Sequence, residues 1–419
     1  MLRRTRTPAP SPASWQQNLW AIWFAEFASI IGFSSVLPIL PFYVQKLGVT
    51  SPDAVKFWSG MIFSAHAVTM AVMAPIWGSL ADRYGRKPMV ERAMFGGALV
   101  IGLMSLARSA PQLALLRAFQ GMLTGTVAAA NTLVASTAPR DRVGYALGLL
   151  QMAIYAGSSV GPLLGGFIAD QLGFHATFLT TSGLLLAGGL MVAFRVREDF
   201  SPPLRSGESA GTALWDNLRL VFSSLPLVSV LSVRFLMRLA ARALSPMMPL
   251  VVQSLAPTGA AATLSGLVQG VSSAAGAAGA ILLGRLSDRW GERRVLLLCA
   301  LGSATLHVPQ YFVRDVSALA LLQAGSGFVM GGTITALSAT LAALAPPGRQ
   351  GTVYGVESTV TSVANAVGPM LSTALAVAGG LRMPFLGAAT LFALAGLVTA
   401  RLLPRADPPH PSPIPGKEV

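Results

Sequence analysis

Apolar stretches of helix length recur along the whole chain, each closed by charged residues or by proline and glycine. Twelve can be marked, at 17–44, 58–80, 89–107, 112–137, 144–168 and 175–195, then at 226–254, 263–284, 295–313, 317–344, 353–377 and 384–402. At about 1.5 Å of rise per residue, helices of this length cross a hydrocarbon layer of about 30 Å. Helices are expected because, in lipid, a helix satisfies its backbone within one segment. A β-barrel would need shorter segments alternating polar and apolar, whereas runs such as Leu184–Val192 are continuous. The one long polar interruption, Arg195 to Leu225, contains Pro202, Pro203, Gly207 and Gly211 and reads as a linker. The pattern therefore predicts an all-α integral membrane protein of twelve transmembrane helices in two six-helix halves. Its expected parts are an N-terminal segment (1–16), a first half (17–195), a linker (196–225), a second half (226–402) and a disordered proline-rich tail (403–419). Pro8, Pro10 and Pro12 precede the first apolar run, which begins near Leu19 and exceeds 20 residues, so it reads as a span and not a cleaved signal.

Composition agrees: 53% of residues are hydrophobic and 11% charged, against about 25% charged in a soluble domain. Lysine and arginine outnumber acids 30 to 16, a formal net charge of +14. So little total charge leaves no basic soluble module for nucleic acid. The excess reads as topology. With both termini cytoplasmic, 21 of the 30 basic residues fall in the termini, the loops on their side or the span ends facing them, five in the opposite loops and four deeper inside spans. The lone Cys299 excludes an intramolecular disulfide and a cysteine-based zinc site, and His66, His175, His307 and His410 lack metal-ligand spacing. No nucleophile–base constellation is present, so no catalytic or metal-ligating residue is assigned. A non-transporting sensor or scaffold is disfavoured because no sizeable output domain exists.

The two halves repeat. Gly78-Ser-Leu-Ala-Asp82-Arg83-Tyr-Gly85-Arg86-Lys87 recurs 206 residues later as Gly284-Arg-Leu-Ser-Asp288-Arg289-Trp-Gly291-Glu-Arg293. Leu115-Leu-Arg117-Ala-Phe-Gln120-Gly121 matches Leu321-Leu-Gln-Ala-Gly-Ser-Gly327 at the same offset, and Gly161-Pro162 matches Gly368-Pro369 one residue out of step. Repeated six-helix halves are a transporter architecture, with the binding site between them near the bilayer midplane.

These motifs resemble those of the major facilitator superfamily. Gly78–Lys87 is similar to its signature loop between helices 2 and 3, with a degenerate second copy. Gly148, Gly157, Gly161, Pro162, Gly165 and Gly166 match the helix-5 pattern of its drug:proton antiporters, and Arg117 to Gly121 looks like its helix-4 motif. Glu26 to Gly32, Pro38 and Pro41 resemble helix 1 of the twelve-helix antiporters, and finer details resemble a multidrug efflux subgroup. The resemblance implies the major facilitator fold and proton-coupled efflux of small amphipathic molecules by alternating access. It implies a conformational latch at Gly78, Asp82, Arg83, Gly85, Arg86 and Asp288, in which Asp82 binds a helix N-terminus of the other half. A carboxylate there gains about 0.3–1 kcal/mol, up to about 2 when partly buried. It also implies a bent helix 5 that slides against its symmetry mate, and proton coupling through Arg117. It implies a small-molecule substrate, protons and lipid as partners, no nucleic acid, no cofactor beyond the proton motive force, and a monomer in the bacterial cytoplasmic membrane.

The residues themselves bear on the site. Glu26, some six residues into helix 1, is one of two acids that lie beyond the first three residues of a span. A carboxylate shut away from water can load and release a proton, and Arg117 is its natural partner; a structural ion pair is the alternative. Glu357, the other acid, is read either as solvated at a helix start or as functional. Arg117, Gln120, Thr124, Ala128 and Asn131 form a polar stripe at helical spacing. Arg234, Arg238 and Arg242 follow at i, i+4, i+8; the first can reach the interface, and the other two belong in a cavity. Arg238, Arg242, Gln120, Asn131 and Phe33 are the expected substrate-cavity residues. A cationic wall favours an amphipathic or anionic substrate and leaves open an organic-anion symporter. His66 and His307 are expected to make structural hydrogen bonds.

Overall fold

The computed structural model describes residues 12–139, 141–198, 200, 223–256, 259–346 and 349–403. Residues 1–11, most of the linker, the tail from 404 and the side chain of Asp82 lie outside the described residues, and so do the expectations placed on them. Every regular element within that set is helical: α1 (Pro12–Val36), α2 (Leu40–Lys46), α3 (Pro52–Tyr84), α4 (Lys87–Met104), α5 (Ala110–Leu123), α6 (Thr126–Thr137), α7 (Val143–Leu172) and α8 (Phe174–Arg195) in the first half. The second half holds α9 (Leu225–Leu244), α10 (Met248–Leu255), α11 (Ala261–Trp290), α12 (Glu292–Phe312), α13 (Val316–Leu344), α14 (Gln350–Gly379) and α15 (Met383–Leu402).

These helices compose twelve spans, three of them in two pieces. Span 1 (α1, α2) is interrupted by a 3-10 turn at Leu37–Ile39 that contains Pro38 and is followed by Pro41, and span 7 (α9, α10) breaks before Pro249. Span 4, expected as one helix, divides into α5 and α6 because Gly125 takes φ +122°, a left-handed conformation open to glycine. Ten spans are apolar enough to be recognised by hydropathy alone. The exceptions are α4 and the α9 pair, which carry Lys87, Glu91 and Arg92 and the three arginines respectively.

The repeat is legible in the termini of the helices. Ser109 caps α5 by accepting from the Gln112 amide, and Asp315, 206 residues on, caps α13 through the Ala318 amide at 2.8 Å. Packing repeats as well. In the first half α1 lies on α7 and α8, α3 on α5, and α4 on α8; in the second, α9 lies on α14 and α15, α11 on α13, and α12 on α15. The halves meet along α7–α11 and α3–α14, pairs exchanged by the same two-fold relation.

That interface is closed on the side away from the termini. A Cβ on Gly266 would strike the carbonyl of Pro162, and one on Gly60 would strike Thr373 and, at 2.9 Å, the carbonyl of Pro369. Above these crossings the Gln45 and Gln253 amides pair reciprocally at 2.9 and 3.1 Å. Asp170 accepts from the amide and hydroxyl of Thr263 at 2.7 and 2.6 Å, and Lys56 donates to the Ala376 carbonyl at 3.2 Å. Toward the termini the helices splay: a Cβ on Gly78, Gly144, Gly148 or Gly355 would meet nothing within 4 Å, and Tyr145, Met152 and Trp290 are exposed. Gly266→Val should therefore disfavour this closed seal. Overpacking costs about 1–3 kcal/mol, so a thiol reagent applied from the sealed side should label Ser245→Cys roughly tenfold faster in that background. Unchanged labelling would mean that the crossing does not form the seal.

Candidate substrate cavity and buried carboxylate

Between the halves lie two adjoining cavities of about 570 and 510 Å³, both bordered by Arg238, Arg242 and Ser245 of span 7. The first reaches into the N-terminal half, where Phe33, Phe63 and Met70 make one wall apolar and Arg117, Gln120, Thr124, Asn131 and His66 make another polar. The second faces the C-terminal half and is lined by uncharged polar groups, among them Gln151, Tyr155, Gln269, Gln323 and Ser326. All five residues expected in the substrate cavity border the first compartment.

Three arginines line this space, and neither lining contains a carboxylate. Arg238 and Arg242 each donate Nε to the same neutral oxygen, Asn365 Oδ1, at 2.9 and 3.0 Å. Glu357, two turns before Asn365 on α14, is occupied by Arg234 at 2.6 Å, with both side chains mostly buried. Glu357 is thus ion-paired and mostly buried, an arrangement that neither reading of it names, and Arg234 is its partner. The span-7 stripe thus presents one neutralised arginine and two that share a neutral acceptor. Burying an unpaired cation is costly, and neither of these two makes an ion pair among the described residues.

Glu26 is fully buried in α1. Its Oε1 accepts from the Thr126 hydroxyl at 3.4 Å, while Oε2 has no partner. An unsatisfied buried polar atom costs about 1–3 kcal/mol, more when charged. The expected pairing with Arg117 is not made. Arg117, equally buried, donates to Gln120 one turn along α5, leaves its Nε unpartnered and lies 6.0 Å from the centroid of the Phe63 ring. The physical reason is the broken span: Glu26 faces the first turn of α6, whereas Arg117 projects from α5 into the cavity. Thr126 both donates to Glu26 and lines the cavity, so one hydroxyl separates the two compartments of chemistry.

The helix-5 glycines serve close packing within their own half. A Cβ on Gly157, Gly161 or Gly165 would collide with Ile30, Ile31 and Ser34, or Ser35 of α1, and the freed space lets Ser34 and Ser35 donate to the carbonyls of Gly157 and Gly161 at 3.1 and 2.8 Å. Gly166 instead meets Ala262 of α11. The face expected against the symmetry mate α14 therefore lies on α1 and α11, and Gly148 stands in the open part. In the loop between α3 and α4, Gly85 turns at φ +100°, and the backbone amides of Arg86 and Lys87 donate to Glu198 at 2.8 to 3.0 Å. Arg83 lies over Tyr84, Arg86 over Phe200, and Asp288 is exposed. A Cβ on Gly78 would meet nothing within 4 Å, in keeping with the opening on this side.

His66, Asn365, Glu198, Trp77 and Arg92 are the residues that sequence reasoning missed or undervalued. His307 makes the expected structural bond, Nδ1 to Ser303 O at 2.7 Å; His66 instead borders the cavity with Nδ1 unpartnered. Asn365 stands four residues before the helix-11 Pro369, a spacing that could have marked it.

Related proteins carry the same organisation. The chain is 33% identical over 380 residues to the multidrug resistance protein MdtG of Yersinia enterocolitica, spanning 90% of this chain and 91% of that one. It is 34% identical over 385 residues to MdtG of Citrobacter koseri, spanning 90% and 93%. Its fold matches a bacterial homologue of the human lysosomal transporter Spinster, solved inward-facing and occupied, with a TM-score of 0.78 at 14% identity over 94% and 98% of the two chains. The sequence model of the Major Facilitator Superfamily matches residues 22–256 and 230–419, and with the paired halves and central cavity this places the chain in the Major Facilitator Superfamily.

Proposed function

We propose that this protein is a proton-driven efflux transporter that moves small amphipathic molecules, drugs among them, out across the bacterial cytoplasmic membrane by alternating access. The observation that carries the reading is the separation of two sites: a central cavity open on one side only, and a buried carboxylate, Glu26, behind its wall. Substrate enters the cavity from the termini side, which the positive-inside bias makes cytoplasmic. A proton reaching Glu26 from outside favours closure on that side and opening on the other, and its release inward resets the cycle. The MdtG relatives and the intact helix-5 pattern support export. The transporter acts as a monomer and needs no cofactor beyond the proton gradient.

The arginine pair supports a second reading, in which the cargo is an organic anion and the proton moves with it as a symport. A pump-deficient host expressing the chain, tested against anionic and cationic compounds, separates these outcomes. Efflux predicts raised resistance, and in proteoliposomes proton movement opposite to the substrate. Sensitisation, with protons and substrate moving together, would replace efflux by uptake.

A further inference from the structure

Span 4 is broken at the cavity wall, and each side of the break is held by a different residue. At the end of α5, the Met122 carbonyl accepts from Trp77 Nε1 at 2.7 Å, and the Thr124 carbonyl accepts from Arg92 Nη2 at 3.4 Å. Arg92 lies 3.5 Å from the centroid of the Trp77 ring, with its Nε and Nη1 buried and unpartnered. At the start of α6, Glu26 receives the Thr126 hydroxyl. A cation thus stands at the carbonyl end of one half-helix and a carboxyl at the amide end of the next, the placement that each helix dipole favours. Discontinuous spans use their exposed ends in this way at transporter sites.

The second half supplies an internal control. At the repeat offset of 206 residues, Gly125 corresponds to Gly331, and α13 runs through it unbroken from Val316 to Leu344. The counterparts of Glu26, Trp77 and Arg92 are Ser232, Leu283 and Leu298. The glycine is common to both halves, while the break accompanies the three clasping residues.

We propose that Arg92, stacked on Trp77, is a positioning residue that holds the last turn of α5, and that Glu26 controls the other side of the same joint. The clasp thereby sets where Arg117 and Gln120, on α5, stand relative to Asn131, on α6, in the cavity. A proton on Glu26 loosens the hold on α6 and re-aims the two halves of the polar wall, linking protonation to substrate binding without a shared site. Among the described residues no other titratable group bonds to this carboxyl. Of the helices packed on α1, α6 has none; Tyr145, Tyr155 and Asp170 on α7 and His175 and Arg195 on α8 make no hydrogen bond or ion pair with it, nor do Arg92 and Arg117. The link to transport rests on the proposed efflux; the clasp itself does not.

Hydrogen exchange on the full chain in lipid nanodiscs tests the clasp. In Arg92→Ala and in Glu26→Gln, amides across 120–130 should exchange about tenfold faster, the loss of one charge-assisted hydrogen bond, while those across 326–336 stay as in the wild type. Arg92→Ala should also raise KM for the substrate found by resistance profiling about tenfold, with Arg92→Lys recovering part of the loss. Unchanged exchange at 120–130, or equal loosening at 326–336, overturns the clasp. Faster exchange with an unaltered KM overturns the positioning role. A wild type that moves no substrate sinks the efflux reading alone, because the exchange measurement decides the clasp independently.

Discussion

In proteoliposomes carrying a proton gradient, Glu26→Gln should reduce substrate accumulation to the level set by passive exchange. The substitution keeps the shape of the side chain and an oxygen able to accept from Thr126, but it can no longer gain or lose a proton. Each coupled proton contributes about 2.3 kcal/mol per 100 mV, enough to hold roughly a fifty-fold substrate gradient. Losing the carrier should bring that ratio close to one, while exchange of labelled for unlabelled substrate continues, since Glu26 does not line the cavity. The measurement is the steady-state gradient with and without an ionophore. A variant that still builds an ionophore-sensitive gradient would show that Glu26 is not the proton carrier. Glu357 is poorly placed to replace it, because its Oε1 is already taken up by Arg234 at 2.6 Å.

What the chain discloses before folding divides along physical lines. The spans, the repeat and the cavity arginines are written in long-range periodicity and in the expense of placing charge in lipid, both properties of composition along a helix. Phe33, Gln120, Asn131, Arg238 and Arg242 could therefore be placed on the cavity from sequence, and the structure puts them there. Partnerships are different, because they depend on how helices turn against one another. Glu26 and Arg117 share a half and opposite charge, yet the kink at Gly125 sends them to separate surroundings. Arg92 follows Arg86 and Lys87 so closely that it reads as one more cation of that loop, although it folds inward onto Trp77. Asn365 carries no charge, and only its spacing from Pro369 could mark it, although it organises the arginine pair. The helix-5 glycines announced close packing but not the partner, which turned out to be α1 as well as the opposite half.

The arginine pair makes the second strong prediction, and it is one of opposing effects. Arg238→Gln or Arg242→Gln should lower affinity for an anionic substrate by about a hundredfold, since truncating one partner of a buried charged contact costs roughly 2–5 kcal/mol. Transport of uncharged substrates should change little, the apolar wall at Phe33 and Phe63 being untouched. Stability of the empty protein should move the other way. Two guanidinium groups now share one amide oxygen, and removing either relieves repulsion and leaves Asn365 fully available to the survivor. The thermal midpoint of each single variant should therefore rise without ligand, the pattern expected where a site is held in readiness at the expense of stability. Asn365→Asp extends the argument: a fixed carboxylate between the arginines should stabilise the empty protein most and abolish anion binding, acting as a tethered substitute for the substrate. If both arginine variants lowered the midpoint and left anion affinity intact, the pair would be a structural strut of span 7, and the cargo would bind elsewhere in the cavity.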